Sequence, residues 1–168
     1  MASISLQGNE VHTKGKIPAV GTQAPNFILV NKDLENISLT EYKGKKKLIS
    51  IVPSLDTPVC ATSAKKFDEA IGKLADSVCI VVSADLPFAM SRFCDTESQK
   101  HIIPLSMMRS REFAQDYGVL IEDGPLAGIT ARAIVVLDKT DIVKYSELVS
   151  EISNEPNYEK ALEALKNA

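Results

Sequence analysis

The chain has 168 residues, with 45% hydrophobic and 24% charged side chains and a net charge of −3, an ordinary balance for a globular protein. The length fits one domain over residues 1–168 with a sizeable core. No basic cluster is interleaved with aromatics, so nucleic-acid binding is unsupported, and no apolar stretch is long enough to span a bilayer. The start, Met1 to Gln7, lacks a basic segment followed by an apolar one, so the expected setting is cytoplasmic, with no secretory leader. Three cysteines in such a chain do not make a disulfide scaffold and are expected as catalytic or structural thiols.

In chain order, Ile4 and Leu6 alternate with polar residues, Gly8-Asn9 marks a turn, and Val11 to Lys14 returns, which predicts an N-terminal hairpin. Pro18, Gly21 and Pro25 break the chain into loop. Asn26 to Val30 reads as a strand. Lys45-Lys46-Lys47 reads as a solvated loop ahead of Leu48 to Val52, an apolar run expected of a strand buried on both faces. Val59, Ser63, Phe67, Ala70, Ile71 and Leu74 fall at helical spacing. Ser77 to Ala84 predicts a second buried strand, and Pro87 to Phe93 a short helix capped by Asp85. Ile102 to Leu105 is a third short strand. Arg109 to Tyr117 reads as a helix closed by Gly118. Ala133 to Leu137 and Ile142 to Leu148 form a hairpin around Lys139-Thr140-Asp141, and Pro156 to Leu165 a terminal helix. Strands alternating with helices predict an α/β sandwich around a central mixed sheet.

The stretch Pro53-Ser54-Leu55-Asp56-Thr57-Pro58-Val59-Cys60 joins a strand to a helix. A cysteine in the first helical turn meets unpartnered N–H groups and the positive end of the dipole, both of which favour thiolate over thiol. Pro58 suits the first helical position and pushes Thr57 out of the α region, so Thr57 is expected to cap the helix with its hydroxyl. The competing reading of Cys60 is inert packing. Cys79, in mid-strand, reads as a small buried hydrophobe. Cys94 precedes the polar run Asp95-Thr96-Glu97-Ser98, expected to be exposed and mobile, and is either a redox partner for Cys60 or a bystander. No CxxC spacing occurs, and His12 and His101 lie in unrelated segments, so metal ligation is poorly supported. His101 would have to reach Cys60 for a Cys–His hydrolase.

Pro53-x-x-x-Thr57-x-x-Cys60 resembles the peroxiredoxin active-site motif. Thr57-Pro-Val-Cys60, Cys94, Tyr117-Gly-Val and Gly124-Pro-Leu-Ala-Gly-Ile-Thr-Ala-Arg132-Ala resemble, more narrowly, bacterial thiol peroxidases, which are atypical two-cysteine peroxiredoxins. The resemblance runs over nearly the whole chain. It implies a thioredoxin-like fold and reduction of hydrogen peroxide and organic hydroperoxides. Cys60 would be the peroxidatic and Cys94 the resolving cysteine, Thr57 and Arg132 would assist, and Pro53 would shield the sulfur from water. It also implies thioredoxin as reductant and suggests a homodimer; beside it, no cofactor or metal is expected. A thiol near pKa ~8.5 is roughly 3% ionised at pH 7, so full ionisation gains only about 30-fold, and orientation and charge stabilisation must supply the rest. Arg132 can contribute only if the fold brings Ala133–Leu137 beside Leu48–Val52. Two rival classes stand beside this reading. A thioredoxin-like disulfide reductase would need CxxC, but Ser63 stands where its second cysteine would be, and Ile129-Thr130-Ala131-Arg132 leads into the late strand without proline. A thiol sensor would need the same reactive sulfur but would stop after one peroxide.

Overall fold

The computed structural model describes residues 1–168. The chain opens with an antiparallel hairpin, β1 (Ala2–Leu6) and β2 (Asn9–Lys14), with Ile4 opposite Val11. Its tight turn places Gln7 and Gly8 at φ 52° and 79°, the left-handed pair that a two-residue hairpin loop demands. There follow β3 (Ile28–Val30), β4 (Asn36–Ser38), a 3-10 turn (Leu39–Tyr42), β5 (Lys46–Ile51), α1 (Pro58–Ile71), β6 (Ser77–Ser83), α2 (Pro87–Thr96) and β7 (Ile102–Ser106). The chain finishes with α3 (Glu112–Asp116), β8 (Leu120–Ile121), β9 (Ala133–Leu137), β10 (Val143–Leu148) and α4 (Tyr158–Asn167).

Seven strands form one mixed sheet in the order β10-β9-β5-β6-β7-β3-β4, and β8 joins the hairpin in a separate three-stranded sheet. The centre, β5-β6-β7, is parallel; β9 runs antiparallel to β5, with Ile51 opposite Ala133. The apolar runs are therefore read twice, once by each face. Ile49, Ile51, Ile80, Val82 and Val135 point to a core completed by Phe27, Phe113 and Tyr117. Leu48, Val52, Cys79, Val81, Ile134 and Val136 point to the other, closed by Cys60 and Phe67 of α1, Met90 of α2, and Ala161 and Leu165 of α4.

Three local expectations are corrected. Lys46 and Lys47 are not in a solvated loop but begin β5, and Lys47 is 0% exposed, with its ammonium paired to the Asp141 carboxylate in the β9–β10 turn. A buried ammonium is tolerable only with such a partner. The helix expected from Arg109 is confined to Glu112–Asp116, because Ser110 closes a turn onto Met107 first. Asp85 does not cap α2: Leu86 is its N-cap residue, and the Asp85 carboxylate is engaged elsewhere. Gly118 does close α3, at φ 66°; a Cβ there would meet the Lys16 backbone at 2.1 Å, so only glycine lets the two segments pass.

Candidate active site

The end of β5 feeds a short loop, residues 53–57, into α1. Pro53 is buried, and Pro58 occupies the first helical position. Cys60 follows two residues later and is 0% exposed. The amides of Val59 and Cys60 fall outside the helical ladder, as the first N–H groups of any helix do. Thr57 is the N-cap residue, with extended backbone (φ −99°, ψ 147°), but its hydroxyl makes no cap bond. It donates to the Ser54 carbonyl at 3.2 Å, because the loop folds that carbonyl underneath it. The expected hydroxyl cap is thus replaced by a loop closure, and the Thr57 oxygen keeps its lone pairs for another donor.

Arg132 immediately precedes β9, and the β5–β9 register carries it to the mouth of the Cys60 loop. The residue is 3% exposed; its Nη1 donates to Cys60 Sγ at 3.1 Å, and Nε donates to the Ile152 carbonyl at 3.0 Å. Thr130 Oγ1 donates to the Val52 carbonyl at 2.7 Å, tying the segment before Arg132 to the strand end before Pro53. A cation held this way acts most strongly on an ionised sulfur. From the other side Tyr158 of α4 shares a hydrogen bond of 2.7 Å with Ser63, one turn beyond Cys60, and donates to Glu155 at 3.0 Å.

Cys94 lies in the last turn of α2, which runs through Thr96 rather than stopping at Phe93; Cys94 is half-buried. Burial, with the Asp68 and Asp95 carboxylates adding to it, pushes its thiol up to about 11. All three cysteines are free. Cys79 packs wholly buried against the same core as Cys60, and burial drives its thiol far upward, so it stays protonated. His101 gives its backbone N–H to Asp68 at 2.6 Å and packs its ring on Gly72. Those contacts lie more than two turns further along α1, roughly 12 Å from Cys60 at 1.5 Å per residue, so His101 is not a base for that cysteine. No three His, Cys, Asp or Glu side chains gather as a metal set. The sequence reading missed Asp85, Ser63 and Tyr158, all of which hold the Cys60 segment.

The sheet, the flanking helices and a cysteine at a helix start define a thioredoxin-like protein built around a reactive thiol. Residues 19–162 match the Redoxin family. A thiol peroxidase of Mycobacterium tuberculosis is 52% identical over 165 residues, covering 98% of this chain and 99% of that one. A peroxiredoxin-like protein of Aquifex aeolicus superposes with a TM-score of 0.93 at 41% identity, covering 98% of this chain and 96% of that one. A thiol peroxidase of Chromobacterium violaceum, at 24% identity and a TM-score of 0.90, shares the fold over 98% of this chain and 95% of its own. The chain belongs to the redoxin family, within its thiol peroxidase group of peroxiredoxins, and its chemistry is peroxide reduction through a thiol.

Proposed function

We propose that this protein reduces hydrogen peroxide and organic hydroperoxides at Cys60, and that Cys94 and thioredoxin return the sulfur to its starting state. The reading rests above all on the 3.1 Å hydrogen bond from Arg132 to Cys60 Sγ. The Cys60 thiolate attacks the terminal peroxide oxygen; the O–O bond breaks, the peroxide proton leaves with water or alcohol, and the sulfenate left on Cys60 takes a proton from solvent to give a sulfenic acid. Arg132 and the free first-turn amides stabilise charge on the departing oxygen, and the Thr57 lone pairs accept the peroxide O–H. Pro53 keeps bulk water from the sulfur.

Cys94 then attacks the sulfenic sulfur, water leaves, and a Cys60–Cys94 disulfide forms. Cys60 stands in the first turn of α1 and Cys94, half-buried, in the last turn of α2, and both are free, so in this reading disulfide formation opens one of those turns or both. Residues 95–98 are all exposed, which makes opening there inexpensive. A dithiol of thioredoxin takes up the disulfide, and two protons and two electrons close the cycle. The organic tail of a larger substrate fits an open cleft of about 540 Å³ beside Asp56, lined by Phe88, Ala89, Arg92 and Phe93. Leu55 is buried in the core that holds Cys60, whereas Leu126 and Ile129 pack on the hairpin core.

The test is stoichiometric peroxide on Cys94→Ser protein, which is expected to trap one sulfenic acid at Cys60, followed by thioredoxin-coupled turnover of the wild type. A Cys60→Ser protein that turns over at the wild-type rate overturns the assignment. One oxidation per chain without recycling by thioredoxin favours the sensor.

A further inference from the structure

Asp85 sits between β6 and α2, at the root of the helix that carries Cys94. Its carboxylate accepts three hydrogen bonds: from Ser54 Oγ at 2.7 Å, from the Leu55 amide at 2.8 Å and from Ser83 Oγ at 2.7 Å. Ser54 and Leu55 belong to the loop that delivers Cys60. The Asp85 backbone is fixed in turn, its amide donating to Ser83 Oγ at 3.1 Å and its carbonyl accepting from Ser106 Oγ at 2.5 Å. Both serines end strands of the sheet, so Asp85 stands on rigid ground. No Lys, Arg or His lies in salt-bridge range of it. Its charge is met by hydroxyl and amide donors, two of the three from the Cys60 loop.

Ser54 relays that grip. Its hydroxyl accepts from the Asp56 amide at 3.1 Å, and its carbonyl accepts the Thr57 hydroxyl at 3.2 Å and the Thr57 amide at 3.4 Å. The direction of the Thr57 hydroxyl is therefore set by Ser54, and Ser54 is set by Asp85.

We propose that Asp85 is a positioning residue for peroxide reduction, holding Ser54 and Leu55 so that the Thr57 hydroxyl is aimed at the peroxide in front of Cys60. The inference rests on the assignment of Cys60 as the peroxidatic cysteine. It gives Asp85 a second consequence. The carboxylate joins the Cys60 loop to the root of α2, so opening for disulfide formation is confined to the segments beyond that joint, the first turn of α1 and the Cys94 end of α2.

Asp85→Asn keeps the size of the side chain but sets an NH2 group against donors. The experiment measures the second-order rate constant of Cys60 with hydrogen peroxide in wild type, Asp85→Asn, Thr57→Val and the double variant. It also measures alkylation of Cys60 by iodoacetamide, which does not use Thr57. Asp85→Asn should slow the peroxide reaction by about 10-fold or more, the effect of one charge-assisted hydrogen bond, and leave alkylation within about 2-fold. In the Thr57→Val background the same change should cost less than about 2-fold, because both substitutions remove one device. Should Asp85→Asn fail to fold, Ser54→Ala breaks the same relay and carries the same cycle with Thr57→Val. Additive losses, an equal fall in alkylation, or wild-type peroxide reactivity in a folded variant would each overturn the proposal. A peroxide reaction that survives Cys60→Ser in an otherwise unchanged chain would instead overturn the assignment on which it rests.

Discussion

Replacing Arg132 by leucine tests the central contact of the site most directly. The guanidinium and the sulfur are 3.1 Å apart, and both are buried. At an effective dielectric of ~20 a unit charge pair at that distance attracts by about 5 kcal/mol. Burying the cation offsets much of this, and hydrogen bonds to charged groups retain a net value of about 1.5–3 kcal/mol. If that stabilisation is present in the attacking thiolate and in the charge leaving it, its loss slows the reaction by about 10- to 150-fold. Arg132→Lys keeps the charge, but one ammonium cannot reach both Cys60 and the Ile152 carbonyl as the forked guanidinium does, so an intermediate loss is expected. The chain has no tryptophan to report the reaction by fluorescence, so the assay is competition for limiting hydrogen peroxide against a haem peroxidase. Circular dichroism controls for the loosening that loss of the Ile152 contact brings. A folded Arg132→Leu protein reacting within about 2-fold of wild type would refute the reasoning.

Three other outcomes are expected. Lys47→Ala leaves the largely buried Asp141 carboxylate without its cation and should cost about 3–5 kcal/mol in urea denaturation; a loss under ~1 kcal/mol would show that the pair is solvated. Cys79→Ala should keep full peroxidase turnover, with a stability loss of about 1 kcal/mol from a one-atom cavity, and loss of activity in a folded protein would contradict its inert role. The hairpin β1–β2 should be best protected from amide exchange between about pH 4.5 and 6.5. The Ser5 hydroxyl and the amides of Gly8, Ser153 and Gln7 hold Glu151 down to about 2, so its contribution is present above 4.5 and is lost as pH falls toward 2. The Asp123 hydrogen bond raises His12, so its contribution is complete below 6.5 and fades as pH rises through the raised value; exchange protection flat from pH 3 to 9 would count against both tethers.

The features legible in the sequence are those written locally. β5, β6 and β9 announced themselves because strands covered on both faces are continuously apolar, and α1 because Pro58 and its apolar spacing agree. The short strands β4 and β8 were not read, since three and two residues at sheet margins carry no periodicity. Lys47 was misread for the opposite reason: a lysine triplet looks solvated, and its partner Asp141 is 94 positions away. Thr57 and Asp85 both carry a local capping signal that another partner outbids, the Ser54 carbonyl three residues back for one and the distant Cys60 loop for the other. Arg132 had no local signature at all. Only the resemblance pointed to it, and only the β5–β9 register brings it to the sulfur.

The anchoring of Arg132 also bears on how strongly the oxidised protein seeks electrons. In the reduced chain its buried guanidinium is satisfied by the Cys60 sulfur and the Ile152 carbonyl. A Cys60–Cys94 disulfide would draw that sulfur toward Cys94 as a neutral, weaker acceptor, leaving a buried cation short of a partner. That cost falls on the oxidised side of the couple alone. Every ~1.4 kcal/mol of it makes the two-electron reduction potential about 30 mV more oxidising. In the proposed cycle, the contact that readies the sulfur for peroxide would thus also make a Cys60–Cys94 disulfide a poor structural cross-link and an easy one for a dithiol to reduce.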